Sequence, residues 1–374
     1  MTERIETVVI GGGQAGLATA YHLTRRGRSC VVLDAGERVG DSWRARWPSL
    51  RLYTPARLDA LPGLPFPAPK HSFPSGAEMA DYLKAYAEQL DLPVRNGVRV
   101  DGVGRSGDRY VVTGGDVELE AENVVVATGA FDEPNVPAFA DELRPEIVQL
   151  HSRDYRSPAQ LRQGPVLVVG AAHSGSDIAH EVARAGHSTI LCGRDTGQIP
   201  VPVDSRRARP ILSVLRIVWT RVMTVDTPIG RKASKKHRVH GGPLLRIRRR
   251  DLADAGVERV HDRAVGVEDG LPVLEGSRVV DAANVIWCTG FRADYSWLDV
   301  PFDRVEDGFP KQYRGVVDGA PGLYFVGLPF LHSFASMLVL GAGRDGERVA
   351  AHIVARAEAG RHGAGASRPA VLAR

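Results

Sequence analysis

Apolar residues along this chain gather in short unbroken blocks rather than in strict alternation: Val8-Val9-Ile10, Cys30 to Leu33, Val124-Val125-Val126, Val166 to Val169, Val285-Ile286 and Leu323 to Val326. A block of that kind suits a strand of a parallel sheet, which is covered on both faces and has no polar side to show. Between the blocks, apolar positions recur at helical spacing. One helix is expected over residues 14–26, where Gly27 can cap it, and a second over 78–90 with Met79, Tyr82, Leu83 and Tyr86 on one stripe. A third is expected over 174–185, with Ile178 and Val182 one turn apart and Gly186 as its stop, and a last around 343–358. Short β-rich runs at 98–100, 110–113 and 117–119 predict an antiparallel meander. The proline-dense stretch 40–67 predicts a loop, because proline cannot donate to a ladder.

The turns between blocks and helices carry the first candidate chemistry. In Val8-Val9-Ile10-Gly11-Gly12-Gly13-Gln14-Ala15-Gly16, Gly11 allows a tight turn, Gly13 lets backbone approach a pyrophosphate, and Gly16 lets the helix pack close to the strand. The helix start at Gln14 and Ala15 turns its positive end toward phosphate. The next strand ends at Asp34-Ala35, where an acid can accept from a ribose diol. A second copy reads Gly170-Ala171-Ala172-His173-Ser174-Gly175, and its following strand ends at Arg194, which suits a 2′-phosphate. The first unit therefore suits FAD and the second NADPH, with Ala172 in place of the middle glycine as the departure that leaves a degenerate structural copy as the alternative. Small residues close three further blocks, Thr128-Gly129, Thr289-Gly290 and Gly327, and the first two form a pair that implies an internal duplication. The expected fold is α/β, with two dinucleotide-binding, Rossmann-like domains and the NADPH domain inserted into the FAD domain.

Composition narrows the classes. The chain has 374 residues, 43% hydrophobic and 25% charged, the profile of an ordinary globular protein, and no apolar run approaches a membrane span. Cys30, Cys192 and Cys288 stand apart in apolar runs, so they are expected as buried hydrophobes in a reducing, cytoplasmic setting, with no metal site. His180-Glu181 lacks the second histidine of a zinc helix, and there is no CxxC pair for a thiol-dependent reductase. Net charge is +4, yet residues 201–250 carry fourteen Lys or Arg against two acids, leaving the rest net negative. That segment fits a solvated basic face, a lid, a surface for an acidic substrate, or a helix lying on anionic lipid through 210–250. Nucleic acid is not expected, since no aromatic platform accompanies the charge. Trp43 and Tyr53, in the proline-rich loop, fit either a wall for a planar cofactor or ordinary core packing.

Taken together, these motifs give a chain that resembles the class B flavoprotein monooxygenases, in particular the flavin-containing and YUCCA-type indole-3-pyruvate monooxygenases. The resemblance runs from Val8 to about Val354. It rests on the two glycine turns in order, Asp41-Ser42-Trp43, Leu50-Arg51-Leu52, Leu61-Pro62-Gly63-Leu64-Pro65-Phe66-Pro67, both Thr-Gly ends, and His151-Ser152-Arg153-Asp154-Tyr155. Pro145 and Ile147 depart from the fingerprint that precedes His151, His173 stands where many relatives carry Asn, and Tyr53 sits near the position of an active-site Asn. The resemblance implies FAD and NADPH as cofactors, Ser42 and Trp43 among the cofactor contacts, Tyr53 in a catalytic position, and His151 as an interdomain residue that positions cofactor. It further implies insertion of one oxygen atom from O2 into a small organic substrate through a flavin C4a-hydroperoxide. His332 and Ser333 are expected near the flavin ring, in a structural role or as a polar contact. The implied layout is a FAD-binding part at 1–155, an NADPH-binding domain at 156–282, a second FAD-binding part at 283–358 and a disordered tail at 359–374, with a homodimer left open. Alternatives are an NADPH-dependent flavin oxidoreductase or oxidase, a Baeyer–Villiger enzyme, and a non-catalytic flavin-binding redox sensor.

Overall fold

The computed structural model describes residues 3–130, 133–237, 241–305 and 308–365. Its larger sheet has a parallel centre in the order Leu323–Phe325, Val117–Val126, Glu3–Ile10, Cys30–Leu33 and Val94–Arg95. The unbroken apolar blocks follow from this placement. Val9, Val32, Val125 and Tyr324 point into one buried cluster, with residues of the helices Gln14–Arg25, Gly76–Gln89 and Val339–Gly365. Their neighbours Val8, Val31, Val124 and Leu323 point into a second cluster on the opposite face, with Tyr110 and Val112. Alternate side chains of one strand thus serve two cores, which is why the apolar blocks run unbroken.

The second sheet is wholly parallel, in the order Glu258–Val260, Thr189–Cys192, Val166–Val169, Asn284–Trp287 and Val148–His151. Its strands split their side chains in the same way: Val166, Val168 and Ile286 to one cluster, Leu167, Val169, Val285 and Trp287 to the other. The expected boundaries at 155 and 283 cut across this sheet. Val148–His151 and Asn284–Trp287 lie outside 156–282 and still pair within it, because a parallel strand finds its partner in space and leaves no local sign of which sheet it joins.

Several expected elements shift. Residues 98–100 are not a strand; Val98 N–H donates to the Asp34 carbonyl (2.9 Å), and the antiparallel ladder starts at Gly102–Ser106, pairs with Arg109–Gly114, and continues into Val117–Val126. That ten-residue strand joins what read as a meander strand and a separate buried block. Ser75 caps the helix Gly76–Gln89 through a reciprocal box, with Glu78 N–H donating to its Oγ at 3.1 Å and its own N–H donating to Glu78 Oε2 at 2.7 Å. The C-terminal helix begins at Val339 and runs to Gly365, past the expected stop at 358, so the expected disorder fails at least that far; residues 366–374 lie outside the described residues.

Two crossings join the sheets. They meet in a two-stranded ribbon, Glu133–Pro134 against Phe291–Arg292.

Candidate functional site

The two glycine turns are built alike. Gly11 has φ +111° and Gly170 φ +107°, which side-chain-bearing residues rarely adopt. A Cβ on Gly11 would lie 2.7 Å from the Ala127 carbonyl oxygen, and one on Gly170 would strike the carbonyl of Cys288. In each turn the later glycine, Gly16 or Gly175, faces the carbonyl oxygen of the first, so a methyl group there would force helix from strand. The next strand end is tied on equivalently: Ala127 N–H donates to the Ile10 carbonyl and Cys288 N–H to the Val169 carbonyl, both at 2.8 Å.

The turns differ on their open side. A Cβ at Gly13 would meet nothing within 4 Å, whereas the Ala172 methyl lies against Gly241. His173 Nε2 is 2.7 Å from the Pro243 carbonyl, so residues 241–243 run across the second turn.

The first turn opens on two adjoining cavities. One, of about 640 Å³, is lined by Gly11, Asp34, Ala35, Ser42, Thr128 and, from the run just ahead of the antiparallel ladder, Val98 to Asp101. The other, of about 450 Å³, is lined by Gln14, Ala15, Ser42, Trp43, Tyr53, Thr128, Gly129, Ser174 and Gly327. Thr128 borders both, and its Oγ1 is buried with no hydrogen-bond partner among the described residues. Such a hydroxyl calls for a polar ligand atom. Asp34 accepts from Gly12 N–H (2.5 Å) and Gly36 N–H (2.8 Å), which fixes its carboxylate at the rim. Trp43 and Tyr53 both wall the second cavity, and Trp43 Nε1–H reaches Gln14 Oε1 at 3.4 Å.

Tyr53 is less available than its position suggests. Its hydroxyl donates to Asp177 Oδ2 (3.1 Å), which also accepts from Arg246 (3.0 Å), and its ring sits 4.6 Å from that of His173. Burial first, then the Asp177 charge, hold the phenol well above its usual pKa, so it stays a proton donor already in use. What Tyr53 offers the cavity is a ring. His151 is outside both cavities. Arg153 N–H donates to its Nδ1 (3.1 Å), which leaves the proton on Nε2 for the Gly290 carbonyl (3.0 Å), and burial lowers its pKa. Thr289 Oγ1 bonds the Asn135 carbonyl, and Asn135 N–H donates to Gly290 (3.0 Å), so His151, Thr289 and Gly290 together stitch the crossing between sheets. Arg194 is exposed at the end of its strand, beside the second turn.

His332 and Ser333 do not line the cavities; Met337, Leu338 and Val339 do. The backbone of 332–334 pairs instead with the basic insertion: Val225 N–H donates to the His332 carbonyl (2.8 Å), Phe334 N–H to Met223 (2.9 Å), and Thr224 bridges Ser333. Burial, followed by Arg348, Arg314 and Arg344, pushes His332 down to about 4, with Asp226 at 3.8 Å opposing them. An unfolded histidine takes up its proton near pH 6.5, so this group's contribution is whole above that value and is lost as pH falls toward 4, up to about 3 kcal/mol. Melting curves taken from pH 7 to 5 are expected to shift downward, and His332→Gln to flatten that shift. An unchanged slope in the variant removes His332 as the cause.

Sequence reasoning missed Arg46 and Asp177. Arg46 borders both cavities and lies over the Phe291 ring at 5.7 Å; nothing distinguishes it among the neighbouring arginines in sequence. Asp177 had a visible sign, an acid one turn after His173 on the face that carries Ile178 and Val182 inward.

Comparison with known proteins agrees with this geometry. The family model for pyridine nucleotide-disulphide oxidoreductases matches residues 8–224. An uncharacterised CzcO-like oxidoreductase of Geobacillus kaustophilus is 32% identical over 93% of this chain and 97% of its own. Indole-3-pyruvate monooxygenase YUCCA1 of Oryza sativa subsp. japonica is 28% identical over 94% of this chain and 93% of its own. The structure of a flavin-containing monooxygenase from Stenotrophomonas maltophilia superposes with a TM-score of 0.72 at 26% identity, covering 95% of this chain and all of that one. The doubled glycine turn, the two parallel sheets and these alignments, nearly end to end, place the chain in the pyridine nucleotide-disulphide oxidoreductase family, among the flavin-dependent class B monooxygenases.

Proposed function

We propose that this protein is a FAD-dependent, NADPH-consuming monooxygenase that places one oxygen atom of O2 on a small organic substrate. The observation that carries the reading is convergence: the first glycine turn, both halves of the Thr128-Gly129 end, Gly327 and the start of the C-terminal helix all border one pair of cavities, with Ser174 of the second turn at their edge. The residues fit FAD. Backbone N–H groups at the start of the helix Gln14–Arg25 would take the pyrophosphate, Asp34 the ribose, and the Thr128 hydroxyl a polar atom at the junction. NADPH would be held by the start of the helix His173–Arg184 and by Arg194. When bound, the nicotinamide supplies hydride and the flavin supplies the oxygen chemistry.

The protein's own task is then to orient and to exclude water. Trp43, Leu52, Tyr53, Met337 and Leu338 give the second cavity a largely apolar wall, which keeps solvent from reactive groups inside. His151, neutral and bonded at both ring nitrogens, holds the crossing rather than moving a proton. The test is NADPH consumption and O2 uptake across a panel of amines, thioethers, ketones and 2-oxo acids. Consumption that rises with one class and yields a product one oxygen heavier supports the reading; consumption that ends only in hydrogen peroxide makes the protein an oxidase.

The Ala172–Gly241 contact favours a second reading, a flavin-binding sensor whose second site is closed. Anaerobic mixing with NADPH separates the two, since a sensor's flavin stays oxidised. Arg194→Ala is expected to raise KM for NADPH by about tenfold or more and leave NADH within about twofold, as loss of a charge-assisted phosphate contact requires. Equal effects on both nucleotides remove Arg194 from the 2′-phosphate.

A further inference from the structure

We propose that the insertion spanning residues 206–235 is a docking face for an anionic lipid surface. Eight large hydrophobic residues are exposed in the described structure, and five of them, Ile211, Val214, Ile217, Val222 and Ile229, fall in this one stretch. Such residues scattered singly are unremarkable, but a cluster this local marks a contact surface. Ile211, Val214 and Ile217 recur every third residue along the helix Ala208–Ile217, while Ala208 and Leu212 are buried on its inner side. The helix is therefore held to the body by one face and shows an apolar stripe on the other. Val214 is 60% exposed and Ile229, on the helix Pro228–His237, is 63% exposed.

Charge selects the occupant. Around the stripe stand eight exposed Lys or Arg, among them Arg209, Arg216, Arg221, Lys232 and Lys235. The stretch holds one acid, Asp226, and it is already paired with Arg314 at 2.7 Å. A second copy of this chain meeting the face symmetrically would bring like charge against like. A few aliphatic side chains without aromatic anchors also make a poor core for a protein interface. A lipid surface needs no shape match: aliphatic side chains enter the acyl boundary, and lysine and arginine meet the headgroups, each adding to the attraction. Among the described residues no helix is long and apolar enough to cross a membrane, so the contact is peripheral.

The face is also mechanically joined to the site. Residues 223–225 pair with 332–334, Trp219 packs on Phe334 at 5.4 Å between ring centres, and the same run leads to Met337, Leu338 and Val339 in the cavity wall. Docking would thus set the cleft beside the bilayer.

The test is co-sedimentation of the full-length flavin-loaded protein with vesicles of phosphatidylcholine, with and without phosphatidylglycerol. Binding is expected only to the anionic vesicles and is expected to weaken as salt rises. Val214→Glu combined with Ile217→Glu, and separately Lys232→Glu combined with Lys235→Glu, are each expected to cut that binding by about tenfold or more. These side chains are exposed, so melting temperature and flavin content stay as in the parent and certify the fold. Absence of binding to anionic vesicles, equal binding to both vesicle types, or undiminished binding by both variants overturns the proposal. So does a solution dimer that the Val214/Ile217 variant splits, which would assign the face to a second copy.

Discussion

Gly13→Asp is expected to purify folded and colourless. The position has φ −77°, within reach of any residue, and a Cβ there meets nothing within 4 Å, so the substitution strains neither backbone nor packing. Gly13 is also the N-cap of the helix Gln14–Arg25, whose cap has no side-chain hydrogen bond. An aspartate at that position can accept from the first-turn N–H groups, which relative to glycine adds roughly a few tenths of a kcal/mol to the helix. The same carboxylate stands where the pyrophosphate would lie, filling the approach with negative charge. Stability without flavin should therefore hold or rise while FAD affinity falls by about a hundredfold or more, since a like charge in a desolvated anion site costs several kcal/mol. Flavin absorbance after purification and a titration of the flavin-free protein check this. A yellow variant with parental affinity would mean that the pyrophosphate lies elsewhere, and the proposed function would lose its anchor.

The second large effect is on stability. Asp177 has 2% of its side chain exposed and accepts from both Tyr53 and Arg246. Asp177→Ala leaves the Arg246 guanidinium, three-quarters covered, without its counter-charge and strands the Tyr53 hydroxyl. Removing one partner of a buried charged pair costs about 3–5 kcal/mol. The variant is expected to melt well below the parent, whereas Tyr53→Phe, which removes one neutral donor, should cost about 1 kcal/mol. Combining Asp177→Ala with Arg246→Met should recover part of the loss. If the double variant is no better than the single one, the pair is not what the site depends on.

How much of this was legible in the sequence depended on the reach of each signal. Gly11 and Gly16, Gly170 and Gly175 could be read because their constraint is stereochemical and local: a positive φ or a carbonyl in the way excludes every other residue. The helix Gly76–Gln89 was legible for the same kind of reason, its stripe of Met79, Tyr82, Leu83 and Tyr86 lying within one stretch of chain, although its start was expected at 78 and the Ser75 cap went unread. Asn284–Trp287 was visible as a strand but not as a member of the second sheet, because pairing with Val166–Val169 is decided across more than a hundred residues. Arg46 was not singled out, and His332 was expected near the flavin ring, beside cavities that it does not line. One borders the cavities through a short helical turn in the proline-rich loop, and the other turns away from them because the insertion pairs with its backbone. The environment of each is made by segments distant in sequence.

The ribbon of Glu133–Pro134 against Phe291–Arg292 means that the outgoing and returning chains leave the larger sheet side by side. A body hung from one thread can turn about any axis; one hung from two adjacent, bonded threads bends readily about a single axis and resists swivelling. A swing of one sheet against the other would therefore turn on His151, Asn135 and Gly290, and would have to part the Tyr53–Asp177 bond and the pairing of 223–225 with 332–334.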